Sequence, residues 1–208
     1  MKGLLIKDFY QSWRYYKIFY LVAIVMEVTS IWAGENLFLV IYPFFMIGMI
    51  PYNLLSIDEN SKWEVFCGSL PCTRKQIVTE KYLLGMVAVL PALALVILSQ
   101  SLRMSINGGS IRWGELGGIT AVCLVVMLLS PSISLPLCFK FGTTKGRVVQ
   151  MILIGAFCGG TAIFALSVEN RPMLPPVTGT AAILLAMAAV YLLSWHLSIR
   201  FYKKRNLG

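Results

Sequence analysis

Apolar residues along this chain fall into six long runs separated by short polar segments. The runs are Tyr15–Ala33, Leu37–Ile57, Tyr82–Leu102, Leu116–Phe139, Val148–Val168 and Val177–Ile199. A membrane-spanning helix needs about 20 mainly apolar residues, and each run has that length. Runs two to five carry no charged residue, and the sixth has none before its last turn, where His196 sits. The first run is the shortest and contains Glu27. It is read as a retained span rather than a cleaved leader, because no small-x-small cleavage site stands out. The pattern predicts an all-α membrane protein with six transmembrane helices in one domain, residues 1–208.

Composition supports this reading. The 208 residues are 58% hydrophobic and only 13% charged, with a mean hydropathy of +0.76. A soluble domain carries about 25% charged residues, because a water-facing surface needs polar cover. The net charge of +9 would suggest a nucleic-acid partner in a soluble protein. Here the basic residues sit between apolar runs, so topology explains them and no nucleic-acid partner is expected.

Cytoplasmic segments of membrane proteins are enriched in Lys and Arg. The segment before span one holds Lys2, Lys7, Arg14 and Lys17, and the one between spans two and three holds Lys62, Arg74, Lys75 and Lys81. The next alternate segment holds Lys140, Lys145 and Arg147, and the tail holds Arg200, Lys203, Lys204 and Arg205. These four segments collect 15 of the 18 basic residues, leaving Arg103, Arg112 and Arg171 for the other side. Both termini are therefore expected in the cytoplasm, in a multi-pass protein of the plasma membrane. The external loops, at 34–36, 103–115 and 169–176, are too short for an external domain.

Residues 1–17 suggest an interfacial helix ahead of span one. Leu5, Phe9, Trp13 and Tyr16 recur at helical spacing, with basic residues on the remaining surface. The alternative is that this helix extends span one inward. Pro43, Pro51, Pro91, Pro131 and Pro136 fall inside spans, where neighbouring helices can satisfy the carbonyls they free. Pro43, Pro131 and Pro136 are candidates for gating or for lining a translocation path, with a kink in span four. Gly155 and Gly159 form a G-x-x-x-G, which permits close helix approach and marks a possible dimer face.

No enzyme constellation is present. The sequence lacks H-E-x-x-H, G-x-S-x-G, a Walker A loop and a pair of intramembrane aspartates. No catalytic residue, metal site or cofactor is assigned to this chain. The five cysteines cannot all pair with one another, and Cys123, Cys138 and Cys158 lie in apolar runs as small hydrophobes. Glu27 lies roughly 18 Å from the inner end of span one. It reads either as a polar contact in a substrate path or as a protonated or snorkelling residue near the outer interface.

The longest polar stretch is the loop 58–81. Ser61-x-x-Glu64 and Thr73-x-x-Gln76 are both capping boxes. They predict one helix over about 62–70 and a second from 74 into span three, broken at Leu70-Pro71. Trp63, Phe66 and Leu70 share one face of the first helix at i, i+3 and i+7. An aromatic stripe of this kind can lie on a membrane or dock into a groove on a soluble partner.

Three segments carry a resemblance. Asp58-Glu59-Asn60-Ser61-Lys62-Trp63 reads D-E-x-x-x-W, and Ser69-Leu70-Pro71-Cys72-Thr73-Arg74-Lys75-Gln76-Ile77-Val78 reads S-L-P-x-[ST]-R-x-x-[IV]-V. With Leu4-Leu5-Ile6-Lys7-Asp8-Phe9, they resemble the small permease subunits of bacterial type-two ABC exporters. The resemblance implies that helix 62–70 is a coupling helix inserting Trp63 and Phe66 into a separate cytoplasmic ATPase. Glu64, Leu70, Pro71 and Arg74 are further candidates for that contact. It also implies an interfacial elbow helix at the amino end and a second permease chain, identical or related. ATP and Mg would bind on the partner ATPase. The eight residues Glu169–Pro176 depart from larger members, which carry re-entrant helices before the last span. The cargo is expected to be hydrophobic or amphipathic, such as a peptide, lipid or drug. The competing reading is a non-transporting membrane protein with an immunity or assembly role.

Overall fold

The computed structural model describes residues 2–33, 36–61, 63, 73–108, 112–167 and 177–204. Among them every regular element is a helix: α1 Lys2–Trp32, α2 Leu37–Gly48, α3 Ile50–Asn60, α4 Arg74–Gly108, α5 Trp113–Phe141, α6 Thr143–Ser167 and α7 Val177–Lys204. Five helical stretches are long and apolar enough to cross a membrane. They are Gly3–Trp32, Leu37–Asn60, Arg74–Ile106, Trp113–Phe141 and Ala181–Lys203. The predicted run at 148–168 lies on α6, which is not among the five and whose opening turns carry Lys145, Arg147 and Gln150.

Residues 2–17 do not form a separate helix. α1 runs unbroken from Lys2 through span one, because no proline, and no glycine after Gly3, interrupts the stretch. Its 31 residues reach about 46 Å, well beyond a hydrocarbon core of about 30 Å. Span two, by contrast, is broken into α2 and α3 at Met49. Pro51 lacks the N–H that the Ile47 carbonyl would accept, and the Met49 N–H turns back on Met46 at 3.1 Å instead.

α5 is the central helix, packed most extensively on α7 and α2 and also on α4 and α6, while α1 rests on α4 and α2. One apolar cluster joins Ala23, Phe44, Ile47, Leu54, Val96 and Met127 across α1 to α5. A second, around Tyr52, Val78, Tyr82, Leu135, Phe139 and Tyr202, binds α3, α4, α5 and α7. Leu90, Met151, Leu185 and Leu193 stand largely exposed on the outside of the bundle. In a bilayer these side chains meet lipid tails, so their exposure costs nothing.

The prolines of α5 shape its contacts. Pro136 cannot donate to the Ser132 carbonyl, and the Ser194 hydroxyl of α7 donates to that carbonyl at 2.7 Å. Pro131 likewise frees the Met127 carbonyl, and it is this oxygen that a Cβ on Gly48 would strike. α2 and α5 can approach so closely only because position 48 has no side chain. α5 ends at Gly142, whose φ of 85° is open to glycine at little cost.

Candidate functional site

The polar ends of several helices converge on one ionic hub. Asp8 comes from α1, Asp58 from the last turns of α3 and Lys81 from the first turns of α4. Lys81 Nζ donates to Asp58 Oδ2 at 2.6 Å and also to Asp8 Oδ2. Lys7 Nζ reaches the other Asp58 oxygen at 2.8 Å and Asp8 Oδ1 at 3.2 Å. Asp8, Asp58 and Lys81 are almost wholly buried, whereas the Lys7 side chain retains 26% of its exposure. An ammonium shared by two carboxylates offsets desolvation that neither acid could meet alone.

The hub spans both stalks of the loop 58–81, since Asp58 and Lys81 bound it on either side. The adjoining residues extend the tether. Glu59 Oε2 accepts the Thr143 N–H at 2.6 Å, placing a carboxylate on the amino end of α6, where the exposed N–H groups favour an anion. Arg74 donates through Nη1 to the carbonyls of Tyr202 and Lys203, at 3.2 and 3.4 Å. Both carbonyls belong to the last turn of α7. The four lysine- and arginine-rich segments thus meet at one end of the bundle.

The second capping box forms as its spacing predicts. Gln76 Oε1 accepts the Thr73 N–H at 2.9 Å, and Thr73 Oγ1 accepts the Gln76 N–H at 3.3 Å. At the first, Ser61 closes α3. Its N–H bonds the Ile57 carbonyl at 3.0 Å and its hydroxyl the Asp58 carbonyl at 3.1 Å. Trp63 is half-buried, with Lys7 Nζ 4.3 Å from its ring centroid, a cation–π contact that joins the loop to α1. Glu64, Phe66, Leu70 and Pro71, and hence the expected helix 62–70, lie outside the described residues.

The path candidates occupy separate interfaces. Glu27 is buried between α1 and α4, where Ser99 Oγ donates to its Oε2 at 2.6 Å. Gln100 and Ser30 lie alongside, 3.5 Å apart. Pro43 is buried in α2, and Pro131 and Pro136 are buried in α5. Pro136 belongs to a polar seam in which the Tyr82 hydroxyl lies between Ser194 Oγ and Ser198 Oγ, at 2.6 and 2.7 Å. Gly155 and Gly159 face open space on the exposed side of α6. Among the described residues no group of His, Cys, Asp and Glu could hold a metal ion.

Sequence reasoning put Trp63 and Arg74 forward for the partner contact, and it named Lys7, Asp8, Asp58 and Lys81 only within motif segments or the charge count, not as one site. Their signal was opposite charges flanking apolar runs, which does not say which acid meets which base.

The family model of the ABC-2 family transporter proteins matches residues 3–203. No curated protein and no solved structure matches the chain. The match takes in α1, both stalks of the tethered loop and the end of α7. With its apolar helices gathered on that ionic hub, the chain belongs to the ABC-2 family of transporters and is a multi-pass membrane protein.

Proposed function

We propose that this chain is the permease subunit of an ATP-driven exporter, with six spans and both termini in the cytoplasm. A separate ATP-binding-cassette ATPase docks on the loop 58–81 and supplies the energy. The observation that carries this reading is the buried Lys81–Asp8–Asp58 hub. A push on a loop tied at both stalks reaches α1, α3 and α4 together, because breaking either ion pair would strand a buried charge. Glu59 and Arg74 pass the same displacement to α6 and α7.

An apolar cavity of about 480 Å³ between α1, α3 and α4, walled by Phe9, Trp13, Ile50, Leu84 and Leu90, supports hydrophobic or amphipathic cargo. It lies within the size range of small-molecule pockets. The open Gly155–Gly159 face of α6 suits a second permease chain. The test is co-purification with a co-expressed ATPase subunit, in parallel with the ATPase rate. Trp63→Glu together with Phe66→Glu is expected to abolish capture and stimulation while leaving the permease in the membrane. Unchanged capture and rate would overturn the coupling role.

A further inference from the structure

A second cluster of basic residues lies outside the hub, around an apolar-walled cavity. A cavity of about 320 Å³ opens between the first turn of α4 and the last turns of α7, lined by Lys75, Trp195, His196, Ile199, Arg200 and Lys203. His196, Arg200 and Lys203 follow one another at i, i+4 and i+7, so they share a face of α7, and Lys75 closes the cavity from α4. The ion pairs among the described residues involve Lys7, Lys81 and Arg112, leaving Lys75, Arg200 and Lys203 without a carboxylate there. The inner wall is apolar and fixed: Ile199 is buried, and Trp195 Nε1 donates to Thr79 Oγ1 at 3.2 Å.

The helical face continues past the cavity with a change of character. Leu192, four residues before His196, is 61% exposed, and its neighbour Leu193 is 65% exposed. One stripe of α7 therefore runs from bare leucine at span depth to a histidine and two cations at its end, with Lys75 facing them from α4. An acidic protein segment would meet the cations but would leave the leucines without a partner. A phospholipid matches both halves of the stripe.

We infer that this cavity binds the phosphate of an anionic glycerophospholipid, whose acyl chains lie along Leu192 and Leu193. Basic pockets at the cytoplasmic ends of spanning helices recognise such headgroups. The lipid bridges Lys75 to Arg200 and Lys203 beside the Arg74–Tyr202 contact, holding the return stalk of the loop against α7. Placing it in the cytoplasmic leaflet rests on the orientation proposed above, but the binding itself does not.

The experiment titrates delipidated, detergent-solubilised chain with phosphatidylglycerol or phosphatidylcholine and counts bound lipid by native mass spectrometry, with no ATPase present. Phosphatidylglycerol is expected to bind in preference to phosphatidylcholine. Each removed cation should cost about fivefold in affinity, so the triple variant Lys75→Gln, Arg200→Gln, Lys203→Gln should lose on the order of a hundredfold. The variant Lys75→Arg, Lys203→Arg keeps the charge and should bind like the parent, which separates charge loss from misfolding. Equal binding of the two lipids, or full binding by the triple variant, would overturn the inference. So would competition by glycerol 3-phosphate on equal terms with the lipid, since the leucine stripe would then contribute nothing. If the triple variant still bound phosphatidylglycerol in this assay but lost capture in a separate co-purification with the ATPase, the inference would be overturned in favour of a protein-docking surface. Because lipid is counted on the isolated chain, its failure would leave the exporter reading standing.

Discussion

Lys81 and Lys7 both bond Asp58, at 2.6 and 2.8 Å, yet they should differ sharply in what their removal costs. The Lys81 side chain is 1% exposed, against 26% for Lys7. Lys81→Met keeps most of the volume and leaves Asp8 and Asp58 buried together with only the partly exposed Lys7 ammonium beside them. Losing one partner of a buried pair costs about 3–5 kcal/mol, a large part of a stability of about 5–15 kcal/mol. Lys7→Met leaves Lys81 in place and removes a partly solvated contact, which costs about 1 kcal/mol or less. Thermal unfolding of the purified protein in detergent reads the difference. For about 200 residues, each kcal/mol shifts Tm by roughly 2–4 °C, so Lys81→Met should lower it on the order of 10 °C more than Lys7→Met. Adding Asp58→Asn to Lys81→Met should recover part of the loss, with a coupling of about 2 kcal/mol. Equal shifts for the two lysine variants, or strictly additive losses in the double variant, would refute the idea that burial sets the strength of this hub.

Two further stability predictions follow from the geometry of α5. Ser194→Ala should cost about 1–3 kcal/mol by leaving the Ser132 carbonyl without a donor. The same change should be much cheaper in a Pro136→Ala background, where the residue 136 N–H can take that carbonyl, and chemical denaturation of the single and double variants would measure it. Gly48→Ala should cost about 1–3 kcal/mol as its methyl meets the Met127 backbone, whereas Gly155→Ala, whose Cβ meets open space, should leave monomer stability nearly unchanged.

Much of the architecture was legible in one dimension because bilayer thickness imposes a length on apolar runs. The capping box at Thr73 was readable because both partners lie within one turn. The continuity of α1 was also open to reading, since residues 4–32 contain no helix breaker. The aromatic pattern of residues 2–17 nevertheless suggested a separate interfacial element. Periodicity alone reports which face of a helix is apolar, not whether the helix continues past the bilayer edge.

The hub was not legible. Asp8, Asp58 and Lys81 are 50 and 23 residues apart in sequence, and nothing local distinguishes Asp58 from Glu59 or Lys81 from Lys75. Only the packing of α1 and α3 on α4 decides that Lys81 is enclosed by two carboxylates while Lys75 opens onto a cavity on the far flank. The sequence by itself determined five of the six expected spans, the segregation of basic residues and the capping box at the return stalk, because each follows from chain length or from neighbours a few residues away. Tertiary structure alone decided which charges are buried together, which proline-freed carbonyls find a hydroxyl and how close α2 lies to α5, because those depend on side chains brought together across the bundle from distant parts of the chain.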